Sequence, residues 1–173
     1  MSISSARPAA SEYAPNHEKY VSLVADGDIV NTLTAQGAAM SELLRGIPEA
    51  RADSRYAPGK WSIKEVVGHV NDFERIFAYR ALRFARNDPS PQGSFDHVGY
   101  VQHASFGELT LADLATEFEH VRSATVWLFK CLAENAWTRT GIASGAELSV
   151  RGLAYVIAGH ELHHVNILKA RYL

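Results

Sequence analysis

The chain has one cysteine, Cys131, in 173 residues, so no internal disulfide can form. That usage fits a reducing compartment such as the cytoplasm. Cys131 lies beside the apolar run Val126-Trp127-Leu128-Phe129, which predicts a packed, unreactive thiol. Neither sign of charge is in excess: 17 Lys and Arg stand against 19 Asp and Glu, with no basic block. A nucleic-acid partner is therefore not expected. No apolar run approaches the roughly 20 residues that a bilayer-spanning helix needs, so no membrane partner is expected either. The first fifteen residues are rich in Ser, Ala and Pro and lack the apolar stretch of a secretory signal. Residues 1–19 read as a flexible lead-in, and residues 20–173 as one domain with a sizeable core.

Helical periodicity dominates what remains. A first helix is predicted from about Asp28 to Ile47, with Ile29, Leu33, Met40, Leu43 and Leu44 on its apolar face and Pro48 as its stop. A second begins at Trp61-Ser62, where Ser62 and Glu65 have capping-box spacing, and ends near Asn87-Asp88-Pro89. The connection from Pro89 to Leu109 is long and rich in aromatics, which predicts a flap packed over something. A third helix starts at Thr110, capped by Asp113, and runs to about Leu132. The fourth spans about Leu148 to Arg171, after a turn-rich segment from Asn135 to Gly145. No strand is expected. Four such helices specify an all-α protein, a four-helix bundle.

The most informative string is Gly159-His160-Glu161-Leu162-His163-His164. At about 100° per residue, His160 and His164 fall within about 20° of the axis of the buried stripe marked by Leu153, Val156, Ile157, Ile167 and Leu168. Two imidazoles in consecutive turns of a core face are costly to bury unless something holds them. A divalent metal does so, because neutral imidazole is its commonest protein ligand. The alternative is a pair of structural core histidines. His69, about 90° from the stripe of the second helix, is the candidate third ligand, since bundle metal sites draw on facing helices. The string also reads His-Glu-x-x-His, the zinc-peptidase pattern with Glu161 as base. That pattern usually brings a third ligand downstream, and nine residues follow His164. His97, in the aromatic loop, is a further candidate to approach the site. His17, His103 and His120 read as solvent-facing or packing residues.

At these positions the chain resembles the DinB/YfiT-like family, which is unrelated to the DNA polymerase sharing the name. The resemblance rests on Tyr56-Ala57-Pro58-Gly59-Lys60-Trp61-Ser62-Ile63-Lys64-Glu65, on Gly68-His69-Val70-Asn71-Asp72-Phe73-Glu74-Arg75, on Arg80-Ala81-Leu82-Arg83-Phe84-Ala85-Arg86 and on the Gly159 to His164 string. It covers Tyr20 to Leu173 and implies an up-up-down-down four-helix bundle, a homodimer and a metal site formed by His69, His160 and His164. His163 matches the family's doubled histidine without binding the ion. Glu161 then has no role as a base.

Three neutral histidines leave an ion's charge uncompensated and its open positions strongly Lewis-acidic. Three histidines suit zinc, nickel, copper or iron, and zinc or nickel is the ion expected here. The resemblance implies a low-molecular-weight-thiol S-transferase acting on a small-molecule substrate. A metal-dependent hydrolase and a non-catalytic metal-binding or dimerisation module are the alternatives. Asp72 and Glu65, a turn either side of His69, are candidates to accept the imidazoles' other N–H. Arg80, on the flank of His69, is a candidate to hold an anionic substrate or thiol. Trp61 and Tyr100 are candidate pocket walls.

Overall fold

A computed structural model describes residues 6–173. Its helices are α1 (Glu18–Val21), α2 (Ile29–Arg45), α3 (Ile63–Ala85), α4 (His97–His103), α5 (Leu111–Lys130) and α6 (Val150–Ile167), the last extended by a wider π turn, Leu168–Tyr172. The long helices begin where their caps predict. Asp28 accepts the backbone N–H groups of Val30 and Asn31, and Ser62 and Thr110 open α3 and α5 with reciprocal capping boxes to Glu65 and Asp113. Each of α2 and α3 packs against both α5 and α6. Of the consecutive long helices, α3 and α5 are therefore neighbours, while α2 and α3, and α5 and α6, face each other across the bundle. No helix among the described residues is long and apolar enough to cross a membrane.

The absence of strands is not upheld. Thr140–Ala143 (β1) and Ala146–Ser149 (β2) form an antiparallel hairpin in the register Thr140↔Ser149 to Ala143↔Ala146. Its two-residue loop, Ser144-Gly145, has positive φ at both positions (53° and 79°), the backbone that joins tight hairpins. Four-residue strands containing Gly, Ala and Glu carry too little periodicity to be seen against a turn-rich background. The flap does pack, and it contains α4. Gln92 pins it to the hairpin, donating to the Ile142 carbonyl and accepting from the Ser144 N–H at 2.9 Å each.

The stretch before α1 is tied down as well, from Arg7 onward. Arg7 donates to the carbonyls of Val21 and Val24, Tyr13 is buried, and Glu12 forms an ion pair with Arg151 at 2.5 Å. Residues 1–5 of the expected lead-in lie outside the described residues. Cys131 is exposed, contrary to expectation, because α5 ends at Lys130 and the buried position of that turn is Phe129.

The apolar core divides in two. One cluster gathers Leu33, Phe77, Phe84, Phe129 and Tyr155; the other gathers Met40, Leu44, Ile63, Phe118 and Leu168. Along each long helix the change of cluster coincides with Gly37, the His69–Glu74 turn, Arg122 or the His160–His164 turn. A polar layer thus crosses the middle of the bundle. One side of it is an ionic network: Arg122 binds Glu74 through two hydrogen bonds of 2.8 and 2.7 Å, lies 2.6 Å from Glu161, and donates to the Leu33 carbonyl. All three charged groups are buried. Gly37 makes room for it, as a β-carbon there would lie 2.7 Å from the Arg122 stem.

Candidate metal centre

The other side of the polar layer holds the histidines. His69 Nε2 lies 3.1 Å from His160 Nε2, and His164 Nε2 lies 3.2 Å from the same atom. A neutral imidazole nitrogen has one lone pair or one proton, so His160 cannot bond well to both neighbours. A divalent ion would satisfy all three, since tetrahedral donors at about 2.0–2.1 Å sit about 3.3 Å apart. All three residues are buried. Burial, then His97 and His163, pushes His69 down to about 4. Burial and then His69 push His164 down to about 3. His160 is held well below its ordinary value by burial, then by His164. The imidazoles are therefore neutral, as metal ligation requires.

Glycines bring the surroundings this close. Gly159 precedes His160 and lets α1 touch α6: a β-carbon there would lie 2.1 Å from the Tyr20 carbonyl oxygen. Tyr20 then meets the His160 ring edge-on at 5.2 Å. Phe73 stacks on the face of that imidazole at 3.6 Å with a 7° interplanar angle. Trp61 covers His69 at 4.8 Å, and its carbonyl accepts from the Tyr172 hydroxyl at 2.5 Å. The π turn at the end of α6 thus fixes the entry to α3.

The histidines open into a cavity of about 420 Å³. His97 reaches its rim, 5.7 Å from His69. Trp61 lines the cavity; Tyr100 does not, being turned outward against Phe95. His163 also lines it, half-buried, with its ring against Tyr20 and His164 rather than in the cluster. Arg80 is buried in its wall and donates to the Gly93 carbonyl and Ser144 Oγ.

The two carboxylates expected to orient the imidazoles do other things. Glu65 caps α3 and pairs with Arg55 at 2.5 Å. Asp72 faces Arg75 at 3.6 Å, and burial raises its pKa. Neither bonds to an imidazole, because a one-turn offset along the helix turns Glu65 toward the loop cation Arg55 and Asp72 toward Arg75 of α3 itself. Glu161 faces Arg122, away from the cavity, so it cannot serve as a peptidase base. Sequence reading missed His17, whose Nδ1 is buried without a hydrogen-bond partner beside the cavity. Burial, then the charges of Arg80 and Lys19, pushes it down to about 4. It also missed the hairpin's Ser144, although Ser-Gly is a turn signal.

A family model, described as the DinB superfamily, matches residues 32–168. The chain belongs to the DinB superfamily. Among solved structures, YfiT from Bacillus subtilis superposes on this DinB-superfamily chain with a TM-score of 0.73, covering 96% of it and 94% of YfiT at 12% identity. YfiT is described as a probable metal-dependent hydrolase with an unusual four-helix bundle topology. At that identity the likeness establishes the fold. No curated protein matches the sequence.

Proposed function

We propose that the chain is a metal-dependent enzyme in which His69, His160 and His164 hold a divalent ion, zinc or nickel, and that it transfers a low-molecular-weight thiol to a small electrophile. The observation that carries this reading is the convergence of three buried, neutral imidazole nitrogens at one end of a ligand-sized cavity. Bound there, such an ion supplies Lewis acidity that brings a thiol or a water toward its ionised form near neutral pH.

The chain's own residues favour the thiol. No Asp or Glu lines the cavity among the described residues. A hydrolase gains from a carboxylate that takes a proton from water; a thiol, far more acidic than water at the outset, needs none. Phe73, Trp61 and Tyr20 pack around the imidazoles, fixing their rings and keeping bulk water from the reacting atoms. The hydrolase remains a second reading, supported by the description of YfiT.

The test is turnover of a chromogenic electrophile with glutathione and other small thiols, beside a panel of esters. Thiol-dependent turnover that is lost on chelation and in His160→Ala, with circular dichroism unchanged, supports the transferase. Ester cleavage with the same dependences supports the hydrolase. Turnover unaffected by either treatment would refute both.

A further inference from the structure

Arg80 presents a problem that its protein neighbours do not solve. The residue is 3% exposed, yet no carboxylate lies within ion-pair distance among the described residues. Its Nη2 donates to the Gly93 carbonyl at 2.8 Å and to Ser144 Oγ at 3.0 Å. The Nε and Nη1 donors have no protein acceptor among the described residues. Buried charges are ordinarily paired, as the Glu74–Arg122–Glu161 network in this same chain illustrates. Beside Arg80 stand the unpartnered Nδ1 of His17 and, at the same cavity, Lys19. Among the described residues, no acidic side chain lines the cavity to balance them.

We infer that the ligand of this cavity is a small organic acid whose carboxylate docks on Arg80, with the His17 ring as a neighbouring donor, while its other end reaches the three-histidine cluster. The walls between the two ends suit such a molecule. Arg80 lies over the Phe77 ring at 4.9 Å, Phe77 stacks on Phe73 at 3.9 Å, and Phe73 stacks on His160 at 3.6 Å. A continuous aromatic floor therefore runs from the cation to the cluster. Phe95 closes over Arg80 at 5.5 Å from the flap. The guanidinium is held in place by the flap and the hairpin, so its orientation is set before any ligand arrives, which lowers the ordering cost of binding.

The identification of the far end as the reacting end rests on the metal-site reading, but the charge preference does not, and the test separates them. The full chain, stripped of metal with EDTA, is titrated calorimetrically with 3-phenylpropionate and with 3-phenylpropanamide, which match in shape and differ in charge. The acid should bind at least about ten-fold more tightly, a difference of about 1.4 kcal/mol. That preference should vanish in Arg80→Met and persist in part in Arg80→Lys. Equal affinities, no binding of the acid, or a preference undiminished in Arg80→Met would overturn the inference. Should Arg80→Met fail to fold, nuclear magnetic resonance of the unaltered protein decides. The Arg80 Nε–H and His17 ring signals should shift with the acid and not with the amide, and unmoved signals would overturn it. The metal reading stands or falls separately, on whether zinc binds the same preparation.

Discussion

His160 and Glu161 are adjacent in sequence and belong to different chemistries. The helix turns them about 100° apart, so one imidazole enters the cavity and the neighbouring carboxylate enters the ionic network. Substituting Glu161→Gln removes one of two negative charges facing Arg122 and leaves the Glu74 pair intact. Metal content and any turnover should be unchanged; a loss of turnover with the metal retained would restore Glu161 as a catalytic base. Arg122→Met, by contrast, leaves two buried carboxylates uncompensated and should cost about 3–5 kcal/mol in urea denaturation. The His160–His164 pair was legible because spacing alone puts both on the core face. His69, about 90° from the stripe of its helix, was legible only as a candidate from a facing helix, which the family resemblance then supported. The partner of Glu161 lies on another helix, and no local pattern points to it.

At the scale of elements, glycines carry the approach of other segments to the ligand-bearing helices, and Gly159 and Gly68 do so next to the ligands. At Gly159 an added β-carbon meets the Tyr20 backbone carbonyl, which cannot move without lifting α1. At Gly68 it meets the edge of the Phe106 ring at 2.4 Å, a side chain that can turn. Gly159→Ala should therefore destabilise by about 1–3 kcal/mol, and Gly68→Ala by less, as thermal melts would read. The reverse order would contradict this account of the packing. The long helices and their caps were visible in sequence because period and cap residues agree. The hairpin and the packed N-terminal turns were not, because four-residue strands and single 3₁₀ turns have no period to detect. Those are the elements that deliver Ser144 and His17 to the cavity.

Across the whole molecule, the bundle is stable with a polar layer at its centre only while that layer is electrically matched. His17, His69 and His164 have folded-state pKa values of about 4, 4 and 3, below their ordinary 6.5. The unfolded chain thus binds more protons than the folded one throughout this window, and stability rises with pH there. The metal-free protein should be fully stable above about pH 6.5 and lose stability steadily toward pH 4, read as a falling denaturation midpoint. His69 alone contributes about 3 kcal/mol to that loss. Because the imidazoles stay neutral until about pH 4, zinc should remain bound after dialysis at pH 5, where exposed histidines would have released it. Zinc at a thousand-fold excess over its dissociation constant should add about 4 kcal/mol of stability at neutral pH.

The most direct measurement is the metal content of untagged protein, wild type beside His69→Ala, by elemental analysis. A site built jointly by α3 and α6 predicts close to one equivalent of divalent metal in the wild type and almost none in the variant. Equal metal in both, or none in either after exposure to zinc and nickel, would contradict it.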